Sequence, residues 1–151
     1  MTYMLTITER QAQVISTAVE ILARLGMGQW RDGIEHMPLK RDYNTWYQDL
    51  AAIGSILRKH MIDNVDGWTR THGIHSDAVT EHSRMAWDIH QAIRHRLAWD
   101  KAVKEGIVQS IDSPREWTKM MAVNYDEPIK ACAEPLAKIE LSSNDDNKKD
   151  T

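Results

Sequence analysis

Trp87, His90, Arg94 and Lys101 follow one another at intervals of three, four and seven residues. On a helix that spacing places them along one side. An indole next to a guanidinium suits a nucleotide: base stacking contributes about 1–3 kcal/mol, and the planar fork of Arg matches a phosphate. The competing reading buries Trp87 in the core and spends His90 and Arg94 on salt bridges. A second group, Arg24, Gly26, Gly28 and Trp30, lies within seven residues. Its glycines would let backbone N–H groups approach an anion. The segment matches neither the P-loop nor a GxGxxG fingerprint, and the competing reading is a helix stop with a tight turn.

Catalytic constellations are sparse. Arg84 and His90 have the Arg-x5-His spacing of HEPN ribonucleases, and Arg31 with His36 has a similar Arg-x4-His spacing. In that chemistry Arg steadies phosphate charge while His moves a proton, but two solvated helix residues give the same pattern. His72, His75, Asp77 and His82 lie close together, yet H-E-x-x-H and Cys-rich zinc spacings are absent. We therefore expect no metal and no cofactor. The single cysteine, Cys132, has no second cysteine in the chain to pair with and reads as a structural thiol in a reducing cytosol. With no nucleophile elbow and no clustered carboxylates, the expectation is a non-enzymatic protein.

The elements that would carry these residues are mainly helical. At 151 residues, with 42% hydrophobic and 27% charged side chains, the chain is expected to be one globular domain over 1–141. Its polar end, 142–151, is expected to be disordered. A net charge of −3 argues against non-specific capture of DNA. Neither a signal peptide nor a membrane span is expected.

Tyr3 to Ile7 alternates and predicts a short strand. Thr8 and Gln11 form a capping box for a first helix. Its apolar face would be Val14, Ile15, Ala18, Leu22 and Leu25, with Gly26 as its stop. Met27 to Leu39 should be irregular or a short helical turn. A second helix is expected from about Arg41 to Ile62, with Trp46, Leu50, Ile53, Leu57 and Met61 on one face and Tyr47 beside it. Gly54 within it predicts close packing of another element. The third helix, capped by Ser76 or Asp77, should reach about Ala102 with Val79, Ala86, Ile89, Ile93 and Leu97 inward. Arg84 and Asp88 would pair on its solvent side. Met120 to Tyr125 would pair with the N-terminal strand. Two Glu-Pro steps, at Pro128 and Pro135, make the rest an extended arm anchored by Ile129, Leu136 and Ile139. The expected fold is thus three principal helices, a two-stranded β element and a C-terminal arm.

Taken in order, Thr8-Glu9-Arg10-Gln11-Ala12, Gly26-Met27-Gly28-Gln29, Trp87-Asp88-Ile89 through Trp99-Asp100, Asp126-Glu127-Pro128 and Glu134-Pro135-Leu136 resemble a family of small proteins encoded by tailed phages and prophages. The resemblance spans about Leu5 to Glu140 and carries no established catalytic residues. It implies a phage origin and work in the cytoplasm of a bacterial host. By analogy with such proteins, the expected role is counter-defence, by sequestering a nucleotide-type ligand at Arg24, Gly26, Gly28, Trp30, Trp87, His90 and Arg94. The alternative partner is a host defence enzyme, inhibited through the same Trp-rich surface; a HEPN-like ribonuclease is a third reading. Trp and Met side chains left outside the core would favour a homo-oligomer, with a pocket between subunits.

Overall fold

A computed structural model describes residues 4–36, 45–59, 71–110 and 127–141. These form four helices: α1 (Glu9–Gly26), α2 (Trp30–Glu35), α3 (Trp46–Arg58) and α4 (Glu81–Lys104). There is no strand among the described residues, so the expected two-stranded β element is corrected. Met4 to Ile7 is irregular, with Met4 94% exposed. The segment leads into the helix cap Thr8, which is itself extended at φ −76° and ψ 162°, and it forms no ladder. The other expected strand, Met120–Tyr125, lies outside the described residues, as do the start and end of the expected second helix and the tail 142–151.

Helix α1 begins as its capping box dictates. The Thr8 hydroxyl accepts from Gln11 N at 3.2 Å, and the Gln11 side chain accepts from Thr8 N at 2.8 Å. It ends in a Schellman turn: Gln29 N donates to Arg24 O at 2.8 Å, and Gly28 N donates to Leu25 O at 3.0 Å. The left-handed residue is Gly28, at φ 82°, and Gly26 is the last helical residue.

Gly26 has a different use from the stop expected of it. A Cβ there would lie 2.5 Å from Ser83 Cβ, so the backbones of α1 and α4 meet at this point with no room between them. Ser16 of α1 meets His90 of α4 further along, so the two helices run antiparallel. The side of α1 buried by this packing holds Ala12, Ser16, Ala23 and Met27. The expected apolar face is therefore turned outward: Val14 is 65% exposed, Leu22 51% and Leu25 47%. Small side chains win the contact because they allow the closest approach of two backbones.

Helix α4 is the centre of the molecule. Its cap is Thr80, whose side chain accepts from Ser83 N, so the helix starts later than Ser76. Ser76 instead shapes the preceding loop, where its carbonyl accepts from Arg84 at 2.9 Å. Val79, Ala86 and Ile93 are buried as expected, and so are Ala92, Ala98, Trp99 and Ala102. The helix closes with a second Schellman turn through Gly106, which brings Ile107 and Val108 onto Trp99 and Ala102. Helix α3 buries Leu50, and its Gly54 is pressed by the Trp30 indole, 2.7 Å from where a Cβ would stand.

The arm, 127–141, is pinned by backbone amides. Asp88, only 2% exposed, accepts from Ala131 N at 2.8 Å and from Cys132 N at 2.9 Å. Glu81 accepts from Ala133 N. This corrects the solvent-side pairing of Arg84 with Asp88. Among the three expected anchors Ile129 is exposed while Leu136 and Ile139 are half-buried; Cys132 is the buried one.

Two outcomes follow from these contacts. Gly26→Ala should lower stability by roughly 1–3 kcal/mol through overpacking, and Ser83→Gly in the same chain should recover part of it in a urea melt. Asp88→Ala removes a charged acceptor from two amides, at roughly 1.5–3 kcal/mol. Its arm should then detach, read as faster amide exchange at Ala131 and Cys132 and faster thiol labelling.

Candidate functional site

The candidate ligand residues separate into two groups. The first surrounds the end of α1, where each side chain is committed within the fold. Arg24 donates to Glu20 at 2.8 Å, to Gln29 at 2.7 Å and to Asp32 at 3.3 Å. Gly26 is closed off by Ser83, and the ring of Trp30 lies on Gly54, with the Arg31 guanidinium 5.7 Å from its centroid. Gly28 supplies the turn between α1 and α2, and its N–H is used by Leu25.

The second group runs along α4 and is organised by His90. The imidazole is 4% exposed, between α4 and α1. Its Nδ1 stands 3.2 Å from the Ser16 carbonyl and 3.0 Å from the Ser16 hydroxyl. A carbonyl only accepts, so we assign the neutral ring's proton to Nδ1. Nε2 is buried without a hydrogen-bond partner among the described residues and faces a Glu20 carboxylate oxygen at 3.9 Å. Burial holds this imidazole below the ordinary 6.5; Glu20 and the Ser16 carbonyl oppose that shift, and Arg94 and Arg24 reinforce it.

Around this ring the α4 side chains are placed for contact. Trp87 is half-buried and tilted against His90, with ring centroids 5.7 Å apart at 44°. Arg94 is exposed and has no ion pair among the described residues. The structure thus brings Trp87, His90 and Arg94 along one flank, with His90 as support for the indole instead of a solvent-facing group. Lys101, the fourth member of the stripe, pairs with Glu105 at 3.8 Å.

The other constellations are not assembled. Arg84 and His90 lie six residues apart on one helix, so at 100° per residue they point about 120° from each other. Arg84 is held by Ser76 and Glu81, and His90 by Ser16. His36 bonds the Asp32 carbonyl at 2.8 Å. Among the described residues no three His, Cys, Asp or Glu side chains gather to hold a metal ion. His72 is tied to Met27 and Ser76, while His75 and His82 are exposed. The Ser16 hydroxyl beside His90 is not an activated nucleophile, because the ring nitrogen facing it carries the proton. Burial pushes the Cys132 thiol up, and the adjacent Asp88 carboxylate adds to this, so the sulfur stays protonated and inert.

Ser16 and Glu20 were not among the residues singled out from sequence. A signal was present: they are four apart in a stretch, Val14 to Ala23, where Thr17 is the only other polar residue, and a polar pair on a helix interior side needs partners elsewhere. Among the described residues no helix is long and apolar enough to cross a membrane. Compared with protein-family models, curated proteins and solved structures, the chain matches none.

The shift at His90 has a definite sign. The fold favours the neutral ring, so the unfolded chain takes up a proton first as pH falls. Stability present above about 6.5 is therefore lost as pH drops through the lowered value in the fold. His90→Gln, whose amide can still donate to Ser16, should flatten that part of the profile, as measured by denaturant midpoints at neutral and mildly acidic pH.

Proposed function

We propose that this chain is a non-enzymatic binding protein that holds a small anionic ligand of nucleotide type on the flank of α4. The observation that carries this reading is a half-buried Trp87 two turns from an exposed Arg94 that has no ion pair among the described residues. Seven residues of helix separate them by about 10 Å, a span that a nucleotide bridges from base to terminal phosphate. The indole lies tilted against His90, which Ser16 fixes in turn, so little side-chain freedom is lost when a base stacks on it. Arg94 then supplies the charge that the phosphate meets. Arg24, Gly26, Gly28 and Trp30 support the helix pair behind this flank and do not touch ligand.

The resemblance to proteins of tailed phages gives the reading its setting. A phage protein of this kind in a bacterial cytoplasm would act by sequestration, removing a nucleotide signal of host defence without altering it. Sequestration requires tight, saturable binding and no turnover.

Calorimetry of the purified chain against a panel of cyclic, linear and ADP-ribose-type nucleotides tests the reading. One member should bind and be recovered unchanged. Trp87→Ala should weaken that binding by the stacking contribution, about 1–3 kcal/mol, and Arg94→Ala should weaken it together with its salt dependence. Arg24→Ala and Trp30→Ala variants that remain folded should bind as the parent does. Absence of heat with every nucleotide, or affinity untouched by Trp87→Ala and Arg94→Ala, would overturn it.

A further inference from the structure

We propose that His90 and Glu20 hold a divalent cation of the zinc class across the crossing of α1 and α4. Two lone pairs meet there with no donor between them. His90 is only 4% exposed, and its Nδ1 proton is given to Ser16. Nε2 is thereby left as an acceptor, without a hydrogen-bond partner among the described residues. Across from it, at 3.9 Å, stands Oε2 of Glu20. The Nε and Nη2 groups of Arg24 both donate to the other carboxylate oxygen, Oε1, each at 2.8 Å, which leaves Oε2 to the ring.

The separation selects the occupant. A proton shared by the two atoms would draw them to about 2.7–2.9 Å. A water donating to both would spread them to roughly 4.5 Å, given ordinary hydrogen-bond lengths and the bend of the molecule. Zinc bonds of about 2.0–2.1 Å to imidazole nitrogen and carboxylate oxygen span from roughly 3.4 Å at a tetrahedral angle to roughly 4.1 Å in line. The observed 3.9 Å lies inside that range and outside the other two. An imidazole nitrogen turns away magnesium and calcium, which take oxygen donors, and suits zinc and the later transition metals. Both donors already have the supports that metal ligands carry. The ring's other nitrogen donates to a backbone carbonyl, and the carboxylate's other oxygen is held by a guanidinium. Glu20, half-buried, is the way in. No third His, Cys, Asp or Glu side chain joins the pair among the described residues, so water completes the coordination. Arg24 and Arg94 stand close enough to His90 to oppose added positive charge, which sets uptake at micromolar zinc and not tighter. Bound there, the ion ties α1 to α4 one helical turn from Ser16. The inference stands whether or not the α4 flank binds a nucleotide.

Calorimetry of the full chain, stripped with chelator and titrated with zinc chloride, tests this, together with imidazole proton–nitrogen correlation spectra recorded along the titration. One zinc per chain should bind at micromolar concentration and raise the urea midpoint. The His90 Nε2 resonance should move while the Nδ1 proton is kept, and magnesium chloride should move neither. Glu20→Gln and His90→Gln should each weaken uptake at least tenfold, whereas His75→Gln and His82→Gln, at exposed rings, should leave it unchanged. If either site substitution unfolds the chain, the Nε2 resonance of the unaltered protein still decides. A chain that takes up no zinc overturns the inference. So does uptake indifferent to both site substitutions, or uptake that moves other ring resonances and leaves His90 still, since surface histidines would then hold an adventitious ion only. A His90 whose Nε2 carries the proton at mildly alkaline pH would likewise overturn it, having no lone pair to give.

Discussion

Everything in this molecule is referred to the place where α1 lies against α4 with almost nothing between them. Gly26 admits Ser83 so closely that a single added carbon has no room, and ten residues away the Ser16 carbonyl and hydroxyl meet the imidazole of His90. The first contact sets the distance between the helices and the second sets their rotation. A glycine at the crossing gives up the intrinsic helix preference of alanine, roughly 1 kcal/mol, and the close approach it permits is what orients the rest. Once α1 is rotated to bring Ser16 and Ala23 inward, Val14 and Leu22 have to point outward. Once α4 is rotated to bring His90 inward, Trp87 and Arg94 are left along its flank, and Asp88 is directed at the arm.

How much of this could be read from residues alone depended on the kind of signal. Local rules did well where the cause is local. The capping box at Thr8 and Gln11 and the expectation of a close neighbour at Gly54 each rest on one or two residues and their own backbone. The apolar periodicity of α1 identified a helix correctly but not which side of it packs. Val14, Leu22 and Leu25 form the stronger hydrophobic pattern, yet the tighter fit belongs to alanine, serine and glycine, whose small size matters only once a facing helix is known. The same holds for Thr80, which displaced Ser76 as the cap because loop residues 71–80 are folded onto α1 through the bond from His72 N to Met27 O at 3.0 Å. The N-terminal alternation predicts a strand that does not form, because alternation alone carries no information about a ladder partner.

The candidate site was legible in its α4 half. Trp87, His90 and Arg94 were grouped by helical spacing, and spacing on a single helix survives folding whatever else packs around it. The roles within the group were not legible, because burial of His90 depends on Ser16 and Glu20, which are more than sixty residues away in sequence. Arg24, Gly26 and Trp30 looked like an anion cradle for the same reason that they make good structure. A guanidinium satisfied by Glu20, Gln29 and Asp32 is chemically the same group as one waiting for phosphate, and only its partners tell the two apart. Asp88 was misplaced by an intrahelical rule that competes with a stronger demand, since exposed ion pairs contribute little and two arm amides needed an acceptor.

The clasp between Ser16 and His90 is the claim from which the orientation of both helices follows, and the protonation state of one ring reports on it directly. Long-range proton–nitrogen correlation spectroscopy of the imidazoles at mildly alkaline pH should show one histidine fixed in the Nδ1–H tautomer, with its bound proton protected from exchange and removed by His90→Gln. A spectrum in which every histidine is the freely exchanging, mainly Nε2–H form of an exposed ring would contradict the account.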